Sequence, residues 1–291
     1  MEMSYIDLHT HTLRSDGAYT PRQLCTMARE AGISILALTE HNHTEDLSEL
    51  RRQFPDLCLI QGIEIGCMYR TEQGRDVEIH VVGLGFDPDH PAIRTVQSFN
   101  NPDRAPYINA ILDRLRSCGI DLGSYEDMRR RFPNSRQIGR RCIAEVMKEQ
   151  GYVSSVDECY DLYVGAFGER RAYVPNPARY VSFEEAVRAV MASGGIPVLA
   201  HLYYYSLDDQ EYVRLVEAFK KLAGDNGAME VYYGCYTPQQ RAQLKALADQ
   251  YGLMYSAASD FHGQSEQDTL DHGFLSTDCQ ALLSRLGVDP V

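Results

Sequence analysis

The sequence predicts an α/β fold: a β/α barrel assembled from two stretches of chain, with a helical insertion between them. Three observations carry this. Short apolar, β-branched runs alternate with helix-period segments over residues 4–85, the pattern of repeated strand-helix units around a parallel sheet. The alternation stops between about 91 and 174, where the apolar spacing is helical. It then resumes, so residues 1–90 and 175–291 are expected to build the barrel, and residues 91–174 the inserted helical subdomain.

In chain order, strands are expected over residues 5–9, 33–39, 57–65 and 77–84. The first helix has a marked start and stop: Thr20 can cap it, Pro21 suits its first position, and Gly32 suits its exit. The insertion carries helical runs at residues 108–118 and 138–150. Beyond it a helix over 183–193 leads to strands at 196–201, 228–232 and 253–259. No repeat of solenoid period and no low-complexity tract interrupts this order.

At 291 residues, 44% of them hydrophobic, the chain is long enough for one sizeable core. Its 41 acidic and 28 basic side chains give a formal charge of −13, a poor field for gripping long duplex nucleic acid or anionic lipid. A small anionic substrate would need local compensation, which bound divalent cations supply. The eight cysteines form no Cys-x-x-Cys pair and read as reduced thiols. With no apolar run near the roughly 20 residues that span a bilayer, a cytoplasmic address is expected. Oligomeric state is not legible.

Six of the nine histidines, His9, His11, His41, His80, His201 and His262, fall in or just beyond expected strands, accompanied by Asp16, Glu64 and Asp260. In a β/α barrel the strand ends converge on one face, so these residues can meet around a ligand. His9 and His11, two apart, point to the same side of a strand. A lone histidine near a strand end is ordinary; nine metal-ligand types ordered along successive strands are not. Imidazole with carboxylate suits zinc, manganese or iron, and nine ligands exceed one ion's needs, so two or three divalent ions with Glu64 bridging are expected.

At these residues the sequence resembles the polymerase and histidinol phosphatase (PHP) family, in its stand-alone phosphoesterase branch. Asp7-Leu8-His9-Thr10-His11 with Ser15-Asp16-Gly17 is similar to the family's first motif, and Leu38-Thr39-Glu40-His41-Asn42 to its second. Glu64, the run from His80 to Leu84, Ala200-His201 and the run from Ser259 to Gly263 resemble the others. The resemblance implies a distorted seven-stranded, TIM-like barrel and a trinuclear site. The first metal would take His9, His11, Glu64 and Asp260, the second Glu64, His80 and His201, the third Asp16, His41 and His262. Three positions depart from the pattern: Glu40 replaces the usual Asp, Cys142 a His, and Leu202 a Pro.

The resemblance extends to Ile138-Gly139-Arg140 and Ala172-Tyr173-Val174, which look like segments that bring phosphate-contacting groups over the metals. Arg140, Arg141, Arg104, Tyr173 and Tyr203 are the candidate substrate-binding residues. The expected reaction is hydrolysis of a small phosphate ester by a water that metals have acidified. His43, just past a strand end, is the candidate general acid. His90 and His272 are expected on the surface. A nucleoside mono- or bisphosphate, a short oligonucleotide end or a sugar cyclic phosphate would fit as substrate. Two other readings compete: an amidohydrolase-type metal hydrolase, and a non-catalytic metal-binding regulatory module. The former class bridges its metals with a carboxylated lysine, whereas no lysine precedes Lys148 here.

Overall fold

Thr20 caps the first helix as expected: it accepts the Gln23 N–H, Gln23 reaches back to it, Pro21 opens the first turn, and Gly32 (φ 77°) turns the chain out. The computed structural model describes residues 4–133, 135, 138–165, 168–175, 179–264, 268–270 and 272–288. Through them run β1 (Tyr5–Asp7), α1 (Pro21–Glu30), β2 (Ile33–Leu38), α2 (Ser48–Gln53), β3 (Cys58–Arg70), β4 (Asp76–Leu84) and α3 (Pro91–Asn100). Next come α4 (Ala105–Ser117), α5 (Tyr125–Arg131), α6 (Arg140–Glu149) and α7 (Val156–Cys159). The chain finishes with β5 (Val181–Ser182), α8 (Phe183–Ala192), β6 (Ile196–Leu199), α9 (Asp209–Ala223), β7 (Ala228–Tyr233), α10 (Pro238–Tyr251), β8 (Met254–Ala258) and α11 (Gln280–Arg285).

Seven strands neighbour one another in the order β1-β2-β3-β4-β6-β7-β8, with β5 paired to β3 off this path. The path closes on itself. Leu8 N–H donates to the Ala257 carbonyl at 2.9 Å, Asp260 N–H to that of His9 at 3.0 Å, and His11 N–H to that of Phe261 at 2.9 Å. Ile6, Ile35, Ile60, Val82, Val198 and Ala257, from six different strands, share one buried cluster, which is the barrel interior. A second cluster joins Ile65, Val81, Val187 and Phe219 where helices cover the sheet.

The barrel is not all parallel, which corrects one expectation. β3 does not stop at 65 but continues to Arg70, and the chain returns directly through a turn in which Thr71 N–H meets the Arg75 carbonyl at 2.9 Å and Gly74 has φ 79°. β4 therefore runs antiparallel to both β3 and β6. His80 lies at the middle of β4, opposite Gly66. Glu64, two residues before Gly66, shares that face and is the diagonal neighbour of His80.

The chain divides into two compact units, Met1–Asn100 with Tyr180–Val291, and Asn101–Arg179. Helix α3, counted with the insertion in the sequence reading, buries Ile93 and Val96 in the cluster outside the barrel sheet. The second unit has its own core around Ile108, Leu115, Ile143 and Met147. All eight cysteines are free thiols, and no helix among the described residues is long and apolar enough to cross a membrane.

Candidate metal centre

His9 and His11 leave β1 with their side chains on the same side, as their spacing requires, and their Nε2 atoms lie 3.1 Å apart, both sealed from solvent. The chain then turns tightly through residues 12–19. Gly17 is needed there, since a Cβ would stand 2.5 Å from the His11 carbonyl oxygen. Glu40, the residue replacing the usual Asp, is fully buried and clamps this turn: its carboxylate accepts the Thr12 N–H at 3.1 Å and the hydroxyls of Thr12 and Ser15. That clamp presents Asp16 to the other ligand candidates.

Glu64 is the hub. Its Oε2 lies 2.8 Å from Nδ1 of His41, 3.2 Å from Nε2 of His11 and 3.3 Å from Nε2 of His9. Its Oε1 lies 2.6 Å from Nδ1 of His80 and 3.0 Å from Nε2 of His201. Asp260 Oδ1 stands 3.1 Å from Nε2 of His11 and 3.5 Å from Nε2 of His9. Asp16 spans His262 at 3.3 Å and His41 at 3.5 Å.

Three overlapping groups result, each with its ligand atoms within 4.8 Å of one another: His9, His11, Glu64 and Asp260; His41, Glu64 and His80; and His11, Asp16, His41 and His262. The first is the set that the resemblance implies. In the second, His41 joins Glu64 and His80, while His201 meets only Glu64 Oε1 closely; in the third, His11 is added.

These groups suit a cation. Glu64 Oε2 and Asp260 Oδ1 are buried and accept no hydrogen bond among the described residues. His9 Nδ1 lies 2.7 Å from the Glu230 carboxylate, which can only accept, so that nitrogen carries the proton and neutral His9 turns its Nε2 lone pair to the cluster. Without a cation the carboxylates hold protons on the rings. Burial pulls His9 down, but Glu64, Glu230 and Asp260 outweigh it and raise its pKa well above 6.5. His41 follows the same logic through Glu64 and Asp16, and His80 is pushed up to about 9 against burial, chiefly by Glu64. Glu64 is in turn drawn well below the usual carboxylate range, its burial overcome by His41, His80 and His9.

Sequence reasoning missed Glu230. It is buried on β7, holds His9 through one oxygen and accepts the backbone N–H of His201 at 2.6 Å with the other. Its signal was a lone acid in an apolar strand, Ala228-Met229-Glu230-Val231. His201 (φ 24°) and Asp260 (φ 57°) both adopt left-handed backbone, strain of the kind that concentrates at functional sites.

The remaining candidates lie outside these groups. His43 Nε2 stands 3.9 Å from Glu45, which Arg14 also contacts at 3.2 Å. Tyr203 packs its ring against Tyr212 and Tyr236, whereas the neighbouring Tyr204 is 64% exposed. Tyr204 lines a cavity of about 410 Å³ together with Asp16, Asp260 and His262. His272, expected on the surface, stacks on Phe274 and lines the same cavity. Within the second unit, Arg104 lies over the Tyr107 ring at 5.2 Å. Arg140 donates to the Val164 carbonyl at 3.2 Å, Arg141 pairs with Glu145 at 3.1 Å, and Tyr173 lies under Arg170 at 4.3 Å.

The PHP domain profile matches residues 7–234. The 5'-3' exoribonuclease Rnm of Escherichia coli strain K12 is 34% identical over 260 residues, covering 88% of this chain and 84% of that protein. The 3',5'-nucleoside bisphosphate phosphatase of Chromobacterium violaceum is 29% identical, covering 91% and 89%. A solved structure of an amidohydrolase from the same organism, with bound sulfate and no metal, superposes with a TM-score of 0.74 at 28% identity, covering 96% of each chain. A profile running from the end of β1 through β7, together with relatives matched over most of both chains, assigns this chain to the PHP domain family, as a phosphoesterase.

Proposed function

We propose that the three groups hold two or three divalent cations, manganese, zinc or iron, and that the substrate is a nucleoside bisphosphate or the end of a short RNA. One observation carries the reading: both oxygens of buried Glu64 face imidazole nitrogens, and its Oε2 accepts no hydrogen bond among the described residues. His9, His11, Glu64 and Asp260 would hold one cation, Glu64 with His41, His80 and His201 another, and His11, Asp16, His41 and His262 a third. When bound, such ions supply Lewis acidity toward phosphoryl oxygens and a water acidic enough to serve as nucleophile near neutral pH.

The chain's own groups do the positioning. Glu230 holds His9 in one tautomer, and Glu40 anchors the turn that carries Asp16. His43 donates the proton that the departing oxygen needs. Arg140 and Tyr173, in the segments that the family resemblance singles out, bind the substrate phosphate, with Arg104 and Arg141 as further candidates for the same task. The formal charge of −13 supports small substrates over long duplexes, and the relatives named for nucleotide and RNA chemistry support the nucleotide class. A cytoplasmic setting belongs to the same reading, supported by the eight free thiols.

The test is hydrolysis by Mn²⁺-loaded protein of adenosine 3',5'-bisphosphate, a 5'-phosphorylated trinucleotide, a ribose cyclic phosphate and an amide control. Turnover of the bisphosphate or the trinucleotide is expected, with Arg140→Ala raising KM. Turnover of the amide alone, or of none, overturns the reading.

A further inference from the structure

The cavity beside the metal centre is lined by both ligand candidates and aromatic rings. Asp16, Asp260 and His262 line it together with Tyr204, Tyr233 and His272, and no lysine or arginine among the described residues does. No cationic side chain among the described residues would neutralise a second phosphate there, so the part of the cavity that Tyr204 borders favours a neutral group. Asp268, the remaining carboxylate, is already occupied, accepting the backbone N–H groups of His262 and Gln264 at 3.1 Å each.

Tyr204 is the unusual member. Its neighbours Tyr203 and Tyr205 pack into the protein, yet Tyr204 is one of three large hydrophobic side chains standing exposed among the described residues. Its ring is held by two others, the edge-on Tyr233 at 5.9 Å and His201 at 5.7 Å. Tyr233 is itself fixed, donating its hydroxyl to Asp260 Oδ2 at 2.7 Å. An exposed aromatic ring, supported from within and bordering a cavity of about 410 Å³, has the form of a stacking surface for a planar ligand group.

We propose that this cavity is the nucleoside subsite and that Tyr204 stacks on the base of the bound nucleotide, a specificity-determining contact. The inference rests on the phosphoesterase reading of the adjacent centre and adds the uncharged part of the substrate. Base stacking on one aromatic side chain makes AMP bind roughly tenfold or more tightly than ribose 5-phosphate, which has the same phosphorylated sugar without the base.

Calorimetric titration of Mn²⁺-loaded protein with AMP and with ribose 5-phosphate tests this. Wild type is expected to prefer AMP by that factor, Tyr204→Phe to keep the preference, and Tyr204→Ala and Tyr204→Leu to lose most of it. Failure of AMP to bind, equal binding of the two ligands, or a preference untouched in a folded Tyr204→Ala protein overturns the subsite. Phosphate release from adenosine 3',5'-bisphosphate by the same protein preparations separates the two claims: absent turnover with the AMP preference intact overturns the function alone, and turnover with equal binding of AMP and ribose 5-phosphate overturns the subsite alone.

Discussion

Nδ1 of His9 and Oε1 of Glu230 lie 2.7 Å apart, with both side chains closed to solvent. The second oxygen of Glu230 takes the backbone N–H of His201, so one carboxylate orients two members of the cluster. Glu230→Gln removes its charge and leaves one acceptor for two donors. Metal affinity is expected to fall about 10- to 100-fold, the usual effect of losing a partner that orients a metal-binding imidazole. A titration of metal into the variant, read beside its melting temperature, decides the matter. Lowered melting with unchanged affinity would mean that Glu230 only supports the fold.

Metal uptake should expel protons. The rings of His9 and His41 are held well above 6.5 and that of His80 at about 9, so at neutral pH the metal-free cluster carries protons that a cation must displace. Apparent affinity therefore rises with pH. The linked stability has the opposite slope: a raised imidazole stabilises the metal-free fold fully below 6.5, and that contribution is lost as pH climbs through about 9. Calorimetry in buffers of different ionisation enthalpy reads the proton count, and uptake without proton release contradicts this description.

His43 stands apart from the three groups, beside Glu45. As proton donor it matters most when the leaving oxygen is a poor one. His43→Ala is expected to lower kcat about 100-fold or more for a nucleotide ester and far less for a 4-nitrophenyl ester, and to flatten the alkaline limb of the pH-rate profile. An equal loss for both esters with the limb intact would make His43 a bystander.

The barrel was legible where periodicity and capping agree. Thr20, Pro21 and Gly32 announce α1, and the run from Ile35 to Thr39 can only be a buried strand. The β3-β4 hairpin was misread because its two strands looked like separate strand-helix units; Gly74, in a short polar turn between alternating runs, was the missed signal. Residues that offer lone pairs directly announce themselves by type, as His9, His11 and Glu64 do. Glu230 and Glu40 do not, because their importance lies in what they touch, and only the closed barrel brings His9 from β1 to Glu230 on β7. Choosing Tyr204 over Tyr203 needed the short helical turn at Leu202–Tyr204, which sends adjacent rings to different surroundings.

The central claim is that carboxylates and imidazoles gathered around Glu64 act by holding cations. Its most direct test is nucleotide hydrolysis by protein stripped of metal by chelation, assayed before and after Mn²⁺ is restored, with metal content measured on the same samples. Activity is expected to vanish with the metal and return with it, and Glu64→Gln to recover neither metal nor activity. Hydrolysis that persists after complete demetallation would contradict the account.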